Sequence, residues 1–346
     1  MDVSSFPLNS NVAALQKQQM HKRWHWLFFS MIGLVVCVFF SMMLGAKSIH
    51  PLIIWQSLTG QITSEDSVII LDGRLPRTLL GVMTGAALGL SGAIIQAITR
   101  NPLADPGLLG INAGASFAVV IAVALLNISN PEHYLWFALL GSLCAASLVY
   151  LLGSLGNPHR NPVRFVLAGV ALSAVLIGIS SGITLLNPTA FEKLRFWSAG
   201  SLDIRHLDMV LMIAPALLIG IVVALLLASP LNALSLGDSM ATALGINGPR
   251  IILLALLAVT LLCGASTAIT GPIGFIGLMI PHVARWIAGQ DQRWIMAFTL
   301  VLSPTLLLLA DIAGRFLLTN ELRVSIVTAL IGAPVMVWLV RQQRRF

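Results

Sequence analysis

Residues 250–288 read RIILLALLAVTLLCGASTAITGPIGFIGLMIPHVARWIA. Two apolar runs, Arg250–Thr270 and Pro272–Ala288, meet at Gly271-Pro272-Ile273-Gly274 with almost no polar spacer. Hydrocarbon about 30 Å thick takes one helix of about 20 residues per crossing, so the pair predicts two transmembrane helices reversing in a very short outer turn. Irregular backbone at that depth needs the shelter of protein or of a water-filled cavity.

Working outward, the same test finds about ten spans. The others are Trp26–Leu44, Pro76–Ile98, Gly107–Leu126, Tyr134–Ser154, Val163–Leu186, Leu207–Ala228, Ile295–Leu318 and Val324–Val340. Pro51–Leu71 is also apolar, but Glu65, Asp66 and its Thr, Ser and Gln residues mark an interfacial segment. The 346 residues are 57% hydrophobic and 10% charged, with a mean hydropathy of +0.92. One water-soluble core cannot hide that much apolar surface, so lipid is the solvent. The expected fold is an all-α polytopic membrane protein, with a polar leader over 1–25 and a single transmembrane domain over 26–346. The leader carries Lys17, His21, Lys22 and Arg23. The run behind it is longer than a secretory signal core, and no convincing small-x-small cleavage site follows, so it stays as a helix.

An even number of spans puts both termini on one side. Placing them in the cytoplasm collects Lys17, Lys22, Arg23, Arg100, Arg160, Arg164, Arg250, Arg285, Arg293, Arg341, Arg344 and Arg345 there, so the net charge of +7 reads as membrane orientation. The basic residues are spread over many loops, whereas a nucleic-acid surface needs one continuous patch. Cys37, Cys144 and Cys263 all lie inside spans without metal or disulfide spacing and read as small buried hydrophobes. Gly45-Ala46-Lys47-Ser48 lacks the upstream glycine of a phosphate-binding loop, so ATP hydrolysis is not expected of this chain.

Gly81, Gly85 and Gly89, continued by Ala93, strip side chains from one helix face. Close packing is the plainer reading and a pore-lining opposite face the second. Pro215, Pro281, Pro304 and Pro334 should bend their helices. Asp311 and Arg315 stand four apart on one face and partly neutralise each other. With only Asp311 and His282 available, the midplane relay of a proton-coupled carrier is missing. His282 has no ligand partner at metal spacing and reads as a hydrogen-bonded structural histidine. Arg74, Arg77 and Arg315 fall at outer helix ends where a charged group reaches water, as snorkelling anchors or as partners across an interface.

Residues 229–250, SPLNALSLGDSMATALGINGPR, are too polar to cross and too patterned for idle linker. A short helix is expected, capped by Asp238 or Ser239, with Met240, Ala241 and Leu244 as an apolar edge and Gly245 closing it in the left-handed region. Such an edge suits a partner's groove. A lipid-surface helix would use Lys or Arg, which are absent between Ser229 and Gly248.

RLPRTL at 74–79, RNPLADPGLLG at 100–110, LGDSMATALG at 236–245, GFIGLMIPH at 274–282 and GAPV at 332–335 together resemble the permease subunits of binding-protein-dependent ABC importers for iron-siderophores, haem and cobalamin. NAGASF at 112–117 and LRFWSAGSLDIR at 194–205 look most like the ferric-enterobactin branch of that family. The resemblance implies a type II ABC importer permease fold of ten helices, paired with a second homologous permease. Two ATP-binding cassette subunits would lie below and a periplasmic binding protein above. By that likeness Arg74, Arg77 and Arg315 receive acidic side chains of the binding protein. Asn101 and Leu103 form a cytoplasmic gate. Leu236, Gly237, Asp238, Ala241, Leu244 and Gly245, within cytoplasmic coupling helices at 229–249, meet the ATPase. The chain would bind no cofactor or metal, with ATP and Mg used by the partner ATPase. The cargo implied is a ferric siderophore of the catecholate type, moved across the bacterial inner membrane. A cobalamin or haem importer permease, an ion-coupled secondary carrier and a non-transporting scaffold are the alternatives.

Overall fold

The computed structural model describes residues 10–45, 47–128, 130–154, 162–204, 206–317 and 321–343. Residues 1–9 of the leader, and Arg160, Arg344 and Arg345 of the inner charge set, lie outside them. Every described regular element is a helix: α1 Ser10–Met43, α2 Pro51–Leu58, α3 Glu65–Val68, α4 Leu75–Thr99, α5 Ile111–Ala124, α6 Pro131–Ser154, α7 Pro162–Leu186, α8 Pro188–Ser198, α9 Leu207–Ser235, α10 Asp238–Ala243, α11 Gly248–Thr270, α12 Ile276–Ala288, α13 Gln292–Leu317 and α14 Val324–Gln343. Seven are long and apolar enough to cross a membrane, and α5, α12 and the Val324–Trp338 part of α14 are shorter apolar helices. Together these ten helices occupy the ten stretches read as spans in the sequence. Pro51–Leu71 breaks into short pieces and does not cross, and a π-helical turn, Ile69–Arg74, leads into α4.

Helix α4 is the axis. Its most apolar window is 83% buried, against 11% for α7 and 17% for α1, whose outer faces are Val, Ile, Leu and Phe side chains left for lipid or another membrane chain. Lipid tails compete with any apolar contact between helices, so packing and hydrogen bonds hold the bundle together. The glycine row supplies the packing. A Cβ on Gly85 would stand 2.6 Å from Pro304 Cα, and one on Gly89 would stand 1.9 Å from Ser303 Oγ, so α4 lies directly on the backbone of α13. The row extends to Gly92, which is pressed on the Gly277 carbonyl of α12.

That contact corrects the expected outer turn. Thr270 ends α11 at the end expected to face outward, but residues 271–275 run back into the bundle without helix, and α12 starts only at Ile276, against Leu88 and Gly92. With 13 residues it is about 20 Å long, too short to span. Glycine and proline in GPIG hold the backbone extended, and Phe275, in the left-handed region at φ +70°, caps the half-helix. Its ring lies against Gly332 of α14, which shelters the irregular segment with protein. For the same reason α5 begins at Ile111, four residues later than its apolar run. The Pro106–Leu109 stretch is a 3₁₀ turn whose end, Gly110, is left-handed. Cys37 and Cys263 are buried as expected, but Cys144 is exposed on the outside of α6.

Candidate functional site

The polar side chains gather at the two ends of the bundle, named outer and inner after the orientation expected from the loop charges. At the outer end, α1 stops at Met43 and leaves its last carbonyls without helical partners, a costly state away from water. Two arginines satisfy them. Arg74, turned inward by the π turn, donates through Nη1 to Met42 O and Met43 O, each at 2.7 Å, and through Nη2 to Lys47 O. Arg315 donates through Nη1 to Ser41 O at 2.8 Å and Leu44 O at 2.7 Å. Cations at a helix carboxyl end are also favoured by its dipole.

Asp311 holds this cluster together. It accepts Arg315 Nη2 at 2.6 Å, the expected i,i+4 pair, and on its other side Arg77 Nη2 at 2.8 Å and Nε at 3.0 Å. Arg77 continues outward to Glu321 at 2.8 Å. Arg74 and Arg315 are only 7% and 8% exposed, which corrects the expectation that both reach water. The orphan carbonyls of α1 draw them inward. Arg77 sits nearer the rim, and Glu321 is exposed. Ser41 and Glu321 belong to the cluster without having been picked out in the sequence; a serine in a span and an acid beside an outer arginine were the available signals.

At the inner end the α4–α5 turn carries Asn101 and Leu103. Arg100 takes a left-handed conformation, φ +49°, and ends α4. Asn101 Oδ1 accepts Leu103 N at 2.9 Å and Asp105 Oδ1 accepts Gly107 N at 2.7 Å, so two side-chain turns stiffen RNPLADPG. Burial pushes the Asp105 carboxyl above the usual range, against the Gly107 hydrogen bond that favours its anion. Asn101 is exposed and Leu103 half-buried.

The segment at 229–249 continues α9 and then forms α10. Its cap is neither Asp238 nor Ser239: the helix starts at Asp238, and Gly237 at φ +110° is the residue before it. Gly245 is left-handed as expected, φ +76°. Leu236, Met240 and Leu244 are exposed while Ala241 is buried, so α10 shows a leucine and methionine edge outward. The base of this helix is bolted to both neighbouring turns. Arg100 Nη2 donates to Leu234 O at 2.7 Å, joining it to the α4–α5 turn. Asn232 donates to Asp291 Oδ1 at 2.7 Å and accepts Gln292 N at 2.7 Å, joining it to the α12–α13 turn, where Arg293 also reaches Ser229 Oγ. The α12 half-helix is fixed in turn to α4 by Gln96 Nε2, which donates to Leu278 O at 3.0 Å. His282 differs from its expected hydrogen-bonded state. Its Nδ1 is buried without a partner, and its ring meets Trp286 edge-on.

Among the described residues no group of three or more His, Cys, Asp and Glu converges. The geometry offers a fixed polar crown at the outer end and, at the inner end, an apolar-edged helix rigidly connected to a stiff turn and a half-helix. Residues 33–342 match the model of the FecCD transport family. The chain belongs to the FecCD transport family. Among FecCD relatives it is 53% identical, over 90% of its length and 93% of theirs, to the ferric enterobactin transport system permease protein FepD of Escherichia coli K12. It is 38% identical to the Fe(3+) dicitrate transport system permease protein FecC of the same organism, over 83% of this chain and 87% of that one. It is 37% identical to the hemin transport system permease protein HmuU of Yersinia pestis, over 91% and 95%. A solved structure described as an inward-facing conformation of a metal-chelate type ABC transporter superposes with a TM-score of 0.81 at 29% identity, covering 92% of this FecCD chain and 99% of that one.

Proposed function

We propose that this chain is the transmembrane permease subunit of an ATP-driven importer that carries a ferric catecholate siderophore of the enterobactin type into the cytoplasm. What carries the reading is its 53% identity to a ferric enterobactin permease along 90% of its length. In this reading it works in the inner membrane with both termini in the cytoplasm, beside a second, homologous permease, above two ATPase subunits and below a periplasmic binding protein. ATP and Mg belong to the ATPase, and this chain holds no cofactor.

The mechanics follow from the inner connections. Leu236, Gly237, Asp238, Ala241, Leu244 and Gly245 form the contact with the ATPase, with the exposed Leu236, Met240 and Leu244 edge entering its groove. Displacing α10 pulls Leu234 and Asn232, and through Arg100 and Asp291 moves the Asn101–Leu103 gate and the α12 half-helix together. At the outer face Arg74, Arg77 and Arg315 make up the docking crown for acidic side chains of the binding protein. Arg77 is its working member, because the exposed Glu321 that it holds is replaceable by a carboxylate from outside. Arg74 and Arg315 fix the floor beneath it.

The test is uptake into liposomes holding the chain with its partner permease and ATPase, given loaded binding protein outside and ATP inside. ATP-dependent accumulation of ferric enterobactin is the expected result. Accumulation without the ATPase would favour an ion-coupled carrier, and accumulation of cobalamin or haem in place of the siderophore would overturn the cargo.

A further inference from the structure

The outer end contains a cavity of about 460 Å³ between α6, α8, the loop after α8, the end of α11 and the α13–α14 turn. Three aromatic residues, Tyr134, Phe196 and Trp197, and three cationic ones, Arg77, Lys193 and Arg323, share its wall. Asp203 and Glu321 are its acids; Asp203 is exposed and Glu321 is held by Arg77. Two of the residues are built into one unit. Arg323 donates through Nη1 to Phe196 O, and its guanidinium stands 5.2 Å from the centre of the Phe196 ring. Arg195 approaches the same ring at 5.1 Å, yet the phenylalanine remains 55% exposed. An exposed phenylalanine at the outer face, braced by two guanidinium groups, does no packing work for the bundle.

The unit has a chemistry of its own. A guanidinium lying on a ring presents a flat, charged surface with forked N–H donors, suited to a planar group bearing adjacent oxyanions. The walls of the cavity are anchored. Ser201 N donates to Thr270 O at 2.7 Å and Trp197 Nε1 to Ala268 O at 3.3 Å, so α8 and its loop are tied to α11. Its volume falls at the low end for ligand pockets and admits one aryl arm, leaving the iron and the other arms outside.

We propose that this cavity receives one catecholate arm of the anionic cargo, with Phe196 and Arg323 as the contacts that distinguish aryl diolates from ring-free iron chelates. The assignment rests on the ferric-siderophore reading above and adds a selectivity element within this chain. It shares Arg77 and Glu321 with the docking crown, and Phe196 and Arg323 belong to the cavity alone.

Equilibrium dialysis of radioiron-labelled ferric enterobactin against the permease–ATPase complex in nanodiscs, without binding protein, tests it. The wild type should bind the catecholate and not a ferric hydroxamate, and Phe196→Ala or Arg323→Gln should each weaken binding roughly tenfold. Arg323→Lys keeps the charge and loses the fork, so it guards against a folding artefact; it should fall between Arg323→Gln and wild type. Unchanged affinity in these variants, equal binding of the hydroxamate, or no binding by the wild type would each overturn the assignment. So would variants that lose binding-protein affinity alone, because the cavity would then be a docking socket. ATP-driven uptake by the wild type with binding protein is measured alongside. Its failure overturns the importer reading, whereas intact uptake with unchanged dialysis results overturns the cavity alone.

Discussion

Gly92→Ala is the sharpest probe of the bundle. A Cβ there would lie 1.7 Å from the Gly277 carbonyl oxygen, and ordinary contact begins at 3.4 Å, so α4 and α12 would have to part by about as much again. No rotamer relieves this, because both partners are backbone. The parting also breaks the Gln96 Nε2 bonds to Gly277 O and Leu278 O, at 3.3 and 3.0 Å, which tolerate only a few tenths of an ångström. Overpacking of 1–3 kcal/mol and two lost hydrogen bonds of about 1 kcal/mol each give about 3–5 kcal/mol, roughly a hundredfold to a few thousandfold in the folded ratio. The assay is reversible unfolding in mixed micelles, with Gly178→Ala as the matched control, since nothing lies within 4 Å of that position on α7. The control should unfold like the parent. If Gly92→Ala did the same, the α4–α12 contact would not be as close as described and the start of α12 within the bundle would fall with it.

Further outcomes follow from the same geometry. Asp311→Asn removes the carboxylate that neutralises the buried Arg315 and half of the pairing of Arg77, which keeps Glu321, and should lower stability by about 3–5 kcal/mol in the same unfolding assay. The half-buried Asp105 has a folded-state pKa above that of the unfolded chain, so the stability it contributes is complete below about pH 3.9 and is lost as the pH rises through the folded value. Asp105→Asn retains the oxygen that accepts Gly107 N, so it should exceed the parent in stability at about pH 7 and match it near pH 3, read from unfolding midpoints. Asn232→Ala cuts the joint between α9 and the α12–α13 turn; transport per ATP hydrolysed should drop several-fold with ATPase activity retained, measured in proteoliposomes. A single cysteine at Leu244 should be labelled by an impermeant maleimide only from the cytoplasmic side, and labelling from outside would remove α10 from reach of any ATPase.

The sequence made the crossings legible because each is an apolar run of hydrocarbon length, a property carried by every residue in it. The Gly81–Gly89 row and the Asp311–Arg315 pair were legible for a similar reason, since both are periodicities along one helix. What escaped was set by contacts between distant segments. GPIG reads as a turn, but its depth is fixed by Gly92 and Gly332, which no local pattern reports. Arg74 and Arg315 stand at helix ends where arginine normally snorkels, yet the unfinished carbonyls of α1 pull them inward. The α10 cap failed by one residue because Gly237, free to adopt φ +110°, turned the chain before Asp238 could take that place. The outer cavity draws its wall from segments as far apart in the chain as Arg77 and Arg323, so only the folded molecule shows it.

The arginine-capped end of α1 bears on how the protein is made. Among the described helices this one emerges first from the ribosome, but one of its two caps, Arg315, follows 274 residues after Ser41. Until that residue arrives, α1 must rest in the bilayer with bare carbonyls at its tip, steadied by lipid headgroups or by the insertion machinery. This early helix is therefore completed late, and synthesis halted before α13 should yield a product that quality-control proteases recognise.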